Sequence, residues 1–214
     1  LLIVIIALTN LTGCSISDLA SSKLVNKTAD KVVNKAIYGN FKWADDNLNV
    51  SAFRNGDPIP EVKSDEEWVQ AAEEGKPAWC YLYNDPSNKK KYGKLYNWYA
   101  VSDPRGLAPE GYRIPTKQEF DKLIESTGID AANHIKKELV KGGITGFDSR
   151  LGGYRSEDGY FHKAGETSRY WTNELNPSTQ DKSGHALYIG GNFNLSGTSS
   201  FRVANGFSVR CLKE

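Results

Sequence analysis

The residues best equipped for covalent chemistry are three cysteines, Cys14, Cys80 and Cys211. Cys14 closes the stretch LLIVIIALTNLTGC, whose Leu11-Thr12-Gly13-Cys14 ending has the form of a bacterial lipobox. In a lipobox a small residue precedes a cysteine that is diacylated and becomes the mature N-terminus. A transmembrane helix takes about 20 apolar residues. This run, with polar Thr9, Asn10 and Thr12 near its end, has the length of a signal-peptide core instead. Two acyl chains would anchor firmly, at about 0.8 kcal/mol per buried CH2. The alternative is a buried helix or strand that ends in an ordinary cysteine. Ser15, where Asp would favour inner-membrane retention, points to the outer membrane. The chain has no Met and no basic residue ahead of the run, so the gene product is expected to be longer at its N-terminus.

With Cys14 given to lipid, Cys80 and Cys211 remain as an even pair. An exported compartment is oxidising, so one disulfide is expected. It would close a loop of about 130 residues and contribute roughly 4–5 kcal/mol. The alternative is two buried free thiols. His134, His162 and His185 lack metal-binding spacing, and neither a G-x-S-x-G elbow nor a P-loop occurs. No catalytic residue and no metal ligand is assigned. Lys+Arg is 27 against 26 Asp+Glu, which argues against a nucleic-acid partner.

These residues need elements to hold them. Residues 15–37 are rich in Ser, Lys and Asn, with apolar residues at near-helical spacing. They read as a polar tether behind the signal segment 1–14, with one domain over 38–214. A first strand is expected over 40–43. Asn55-Gly56 marks a turn. Ser64-x-x-Glu67 and Thr116-x-x-Glu119 are capping boxes. The first predicts a helix with Trp68, Ala71 and Ala72 on one face, stopped by Gly75. The second predicts a helix burying Phe120, Leu123 and Ile124, stopped by Gly128. A third helix is expected over 130–140. Aromatic segments 79–83 and 95–101 read as strand-like, with Asn84-Asp85-Pro86 and three lysines as an exposed turn between them. From 147 on, short strand-like pieces alternate with Gly, Ser and Asn. Phe207, Val209 and Cys211 alternate with Ser208 and Arg210, which predicts a half-buried strand. The fold class is α+β, loop-rich, with short strands and two to three helices.

Several stretches resemble one family. They are Trp43-Ala44-x-x-Asn47-Leu48-Asn49, Asn55-Gly56-Asp57-Pro58-Ile59-Pro60, Gly75-Lys76-Pro77-Ala78-Trp79-Cys80 and Tyr92-Gly93-Lys94-Leu95-Tyr96-Asn97-Trp98-Tyr99-Ala100-Val101. Pro109-x-Gly111-Tyr112-x-Ile114-Pro115-Thr116, Gly152-Gly153-Tyr154-Arg155, Tyr170-Trp171-Thr172 and Gly206-Phe207-Ser208-Val209-Arg210-Cys211 continue in the same order. The likeness is to the FISUMP family (the Fibrobacter succinogenes major paralogous domain), from about residue 40 to the C-terminus. Members are typically exported bacterial proteins, often lipoproteins. The resemblance implies a C-type-lectin-like fold of the formylglycine-generating-enzyme type.

That fold also occurs in variable proteins of diversity-generating retroelements, where a mutagenised C-terminal stretch forms a ligand-binding face. The corresponding region here is 170–205. It holds Trp171, Asn173, Tyr188, Asn192, Asn194, Ser196, Ser199, Ser200 and Arg202, the aromatic and short polar types that paratopes use. The alternative is ordinary solvated loops. Formylglycine-generating enzymes bind copper through two closely spaced C-terminal cysteines, and Cys211 stands alone there. Trp171-Thr172-Asn173-Glu174 and Asn176-Pro177 faintly resemble lectin Ca2+ motifs but depart from their order. No cofactor is therefore assigned, with Ca2+ the weaker alternative. The expected function is non-catalytic recognition of a protein or glycan by a lipid-anchored cell-envelope protein. A structural envelope lipoprotein without a dedicated ligand is the alternative, and a carbohydrate-active or thiol enzyme a weaker one.

Overall fold

A computed structural model describes residues 41–127, 138–143, 145–190 and 196–214, all within one unit, Asn40–Glu214. Cys14, the tether over 15–37, most of the helix expected over 130–140, His134, Asn192 and Asn194 lie outside the described residues. No helix among the described residues is long and apolar enough to cross a membrane.

Both capping boxes form. Ser64 Oγ accepts from Glu67 N at 3.1 Å and Glu67 Oε2 accepts from Ser64 N at 3.3 Å, which starts helix α1, Asp65–Glu73. It buries Trp68, whose indole N–H donates to Ala204 O at 2.9 Å. Gly75 takes the left-handed conformation (φ +64) just past its end. The expected strand over 79–83 is shorter. Trp79–Cys80 (β1) pairs with Leu95–Tyr96 (β2), but Tyr83 and Asn84 turn left-handed (φ +56 and +53) and end the extension. Lys89–Tyr92 forms a short helix, α2. The segment over 95–101 also divides, because the Asn97 side chain accepts from Ala78 N and Ala100 N, each at 3.0 Å. That cap turns Trp98–Val101 into helix α3.

Tyr112–Arg113 (β3) pairs with Leu212–Lys213 (β9). In place of the first strand expected over 40–43, Trp43 makes a single bridge to Leu212. Helix α4, Lys117–Glu125, is capped by Thr116 and Glu119, and Arg113 grips Glu119 in a two-point ion pair at 2.8 and 2.5 Å. Tyr154–Arg155 (β4) pairs with Phe161–His162 (β5). The largest sheet has the order β6-β7-β8, Thr167–Asn176, Ser183–Gly190 and Ser196–Arg202, all antiparallel. One face of it packs Tyr170, Leu187 and Ile189 on Phe120 and Leu123 of α4. The architecture is thus α+β and loop-rich, with several small antiparallel sheets.

The C-terminal segment departs from the half-buried reading. Ser208 and Arg210 are as fully buried as Phe207 and Val209. Phe207 bridges to Tyr96 and Ser208 to Tyr170, so the segment is covered on both sides. Arg210 is tolerated there because its N–H fork is satisfied by Asn47 Oδ1 at 2.8 and 3.1 Å, Ala44 O at 3.1 Å and Phe147 O at 2.6 Å.

The expected Cys80–Cys211 disulfide is not formed. Both are free, buried thiols in separate core clusters. Cys80 sits with Trp68, Leu82, Tyr92 and Leu95, whereas Cys211 sits with Tyr96, Trp171 and Phe207. Burial pushes each thiol up to about 12.

Candidate functional site: an arginine-centred cleft on the three-stranded sheet

Register decides which side chains meet on this sheet. Arg169 lies opposite Tyr188, which lies opposite Gly197; Trp171 lies opposite Ala186, which lies opposite Ser199. Directly paired residues share a face. Arg169, Trp171, Tyr188, Ala186, Ser199 and Phe201 therefore belong to the face opposite α4. Gly197 matters here, because a Cβ would come within 3.1–3.3 Å of the Tyr188 hydroxyl and ring. Its absence lets the Tyr188 ring lie down across β8.

Part of this face is open. A cleft of about 370 Å3 is lined by Tyr154, Lys163, Thr167, Arg169, Tyr188, Gly190, Ser199 and Phe201. The Arg169 guanidinium lies 3.6 Å from the centre of the Tyr154 ring, 4.5 Å from Phe201 and 5.3 Å from Phe207. Tyr154 is backed in turn by His162, stacked at 5.0 Å. Arg169 forms no ion pair with a described residue, and burial lowers its pKa while Tyr154 favours its charge. The cleft thus combines ring faces, hydroxyls and a cation.

Of the residues expected to meet a ligand, Tyr188 and Ser199 come together in this cleft. Trp171 does not: it is fully buried, stacks on Phe207 at 4.2 Å and donates its indole N–H to Tyr96 O at 2.9 Å. It lies on the cleft face, but where Phe207 covers that face, so it is a core residue. Ser196 is buried at the start of β8. Ser200 is on the other face, bonded to Asn176 at 2.7 Å and paired with His185 at 3.2 Å. Asn173 is exposed within the irregularity in β6, its N–H donating to Pro115 O at 3.0 Å. Arg202 is exposed and pairs with Asp181 and Glu157 at 3.0 and 3.4 Å. Arg169 and Phe201 were not singled out by sequence, and Tyr154 stands there only within a family motif. The signal for Arg169 was its spacing of two from Trp171, usable only once the register is known.

A second cleft of about 370 Å3 is lined by Lys117, Gln118, Asp121, Glu174, Leu175 and His185. Its charged groups serve the scaffold. Lys117 pairs with Asp121 at 2.6 Å, Asp121 accepts from Thr198 at 2.6 Å, and Glu174 accepts from Lys117 N at 2.5 Å. Glu174, from the stretch weighed for Ca2+, therefore caps α4. No group of three metal-ligating side chains stands together among the described residues. The copper that the enzyme side of the resemblance would imply does not fit, because the two thiols occupy separate clusters.

The pattern that carries the fold, from the Trp43 bridge to the Arg210 joint, runs through the stretch that the model of the Fibrobacter succinogenes major domain matches, residues 37–213. The chain belongs to this family. No curated protein and no solved structure matches it. Within this family member, Gly206-Phe207-Ser208-Val209-Arg210-Cys211 is the segment that runs through the middle of the core. Tyr154, the third residue of Gly152-Gly153-Tyr154-Arg155, supplies a wall of the cleft.

Proposed function

We propose that this domain recognises a ligand without catalysis, through the cleft over β6-β8, and is carried on the cell envelope by lipid on Cys14. The observation that carries the reading is the cleft itself. Tyr188 and Phe201 offer ring surface and Ser199 a hydroxyl, Tyr154 holds Arg169 in place, and Trp171 and Phe207 support them from below. Ring faces with a few placed polar groups are what small-ligand and glycan sites use. Envelope anchoring rests on Leu11-Thr12-Gly13-Cys14 and a polar tether. We further infer a C-type-lectin-like arrangement. In its support, Ala44 N bonds Cys211 O, and Lys213 N bonds Lys42 O, bringing both ends of the unit together. A thiol enzyme is disfavoured, since it needs an accessible thiolate.

The test uses the chain with Cys14→Ser, probed against glycan and surface-protein arrays. Tyr188→Ala and Tyr154→Ala should each lower the retained binding while melting stays cooperative. If both variants bind as the parent does, the cleft is not the site. If the parent retains nothing, the purely structural lipoprotein takes its place. A reverse-transcriptase gene beside this one, with a near-copy of the sequence encoding 170–205, would add diversification to the reading.

A further inference from the structure

The arginines of the core and of the cleft differ in how they are held. Arg155 spends its N–H groups on Gly159 O at 2.7 Å, Ser64 O at 2.8 Å and Asp65 Oδ1 at 3.0 Å. Arg210 spends its own on Asn47 and backbone carbonyls. Arg169, by contrast, is held through ring faces, at Tyr154 and Phe201. Tyr154 also shares a side-chain hydrogen bond with Arg169, and stacking, which engages the flat face of a guanidinium, leaves the remaining in-plane N–H groups available to a planar acceptor. The cleft brings Arg169, and no Asp or Glu stands among its described lining residues. A half-buried cation without a counter-charge is costly, and an incoming anion offsets that cost.

We propose that the Arg169 cleft binds the carboxylate of a uronic acid within an acidic glycan; this rests on the recognition role proposed above. The carboxylate takes the Arg169 fork in two-point fashion. The Tyr188 and Phe201 rings meet the apolar face of the sugar, and Ser199 pairs with a ring hydroxyl. A sugar suits the place better than an acidic peptide. Extended peptides bind by adding to a sheet edge through backbone hydrogen bonds. Here the row Arg169–Tyr188–Gly197 lies on the face of the sheet, with the central strand β7 in its middle.

Calorimetry on the chain with Cys14→Ser would compare oligogalacturonate and oligoglucuronate with their methyl esters and with an oligoglutamate peptide. Expected is binding of at least one free uronate that weakens with salt, and little binding of its ester or the peptide. Arg169→Gln should weaken it about tenfold to hundredfold, the scale of a charged two-point hydrogen bond. Arg169→Lys, which keeps charge but not the fork, should lose part of that. Ser199→Asp, on an exposed residue that leaves the core alone, should also block binding by placing an acid in the cleft. The proposal is overturned if no free uronate binds, if ester or peptide binds equally, or if folded Arg169→Gln and Ser199→Asp bind as the parent does. A neutral ligand lost in Tyr188→Ala but kept in Arg169→Gln would overturn the uronate and leave recognition standing. A ligand kept in both variants would sink the cleft as the recognition site as well.

Discussion

Two buried thiols give this domain an alkaline liability that can be measured. Each of Cys80 and Cys211 titrates near 9.0 when unfolded and near 12 when folded. The folded pKa is the higher one, so the stability is fully present below pH 9 and is lost as pH rises toward 12. At pH 10 each thiol has cost about 1.4 kcal/mol, or about 2.8 kcal/mol for the pair. Lys94 acts in the opposite sense. Its side chain is buried, with Nζ 3.4 Å from the Trp79 ring centre, and burial lowers it from 10.5 to about 8. Between pH 8 and 10.5 the unfolded state holds more protons there, so stability rises, by about 2 kcal/mol at most from pH 8 to 10. The Trp79 face favours the charged form and reduces that gain. The parent should therefore change far less from pH 8 to 10 than either contribution alone, with Tyr96, which burial raises well above 10.0, adding to the thiols' side near the top of the range. Urea unfolding of the parent and of Cys80→Ala/Cys211→Ala, both with Cys14→Ser, separates them. The stability difference between the two should shrink by about 2.7 kcal/mol between pH 8 and 10. A difference that stays constant refutes the reasoning. A reductant-sensitive melt with the same constancy would mean that the thiols are bonded after all.

Three other outcomes follow from particular contacts. In urea titrations Lys94→Met, which removes the opposing charge, should turn the shallow profile into a clear decline above pH 8.5; an unchanged profile would mean that Lys94 titrates normally. Trp171→Ala should cost about 3–5 kcal/mol as a core truncation, and Tyr188→Ala under about 1 kcal/mol. Equal costs by chemical denaturation would erase the distinction between core and cleft. Gly206→Ala would put a Cβ 2.8 Å from the Trp68 ring and 3.0 Å from Arg155 Cβ. Its melt should report about 1–3 kcal/mol of overpacking, and parental stability would mean that Trp68 is free to move aside.

What could be read from the sequence was what neighbours decide. Ser64 and Thr116 cap their helices with residues three positions on, so both boxes were visible before any fold. Gly75 stops its helix for an equally local reason. Contacts made across the chain were hidden. Ser208 and Arg210 look solvent-facing by alternation. They are buried because Asn47, 163 positions from Arg210, and Phe147 supply acceptors. Trp171 and Tyr188 look equivalent as aromatic anchors. Only the register of β6 on β7, together with Phe207 lying over one and not the other, makes one core and the other cleft. Cys80 and Cys211 were paired by parity, an argument about number, whereas a bond needs proximity.

The Arg210 joint has a consequence for endurance. It rivets three stretches distant in sequence, around Ala44 and Asn47, at Phe147, and at Arg210 itself. Its acceptors are peptide and amide oxygens, which never gain a proton in the range where carboxylates do. The guanidinium keeps its charge throughout that range, and its burial shields the contacts from dissolved ions. An ion pair such as Arg202–Asp181 loosens in acid or brine; this fastening does not. The Arg210 joint is thus indifferent to acid and to salt, and a fall in pH or a rise in ionic strength acts first on the peripheral ion pairs.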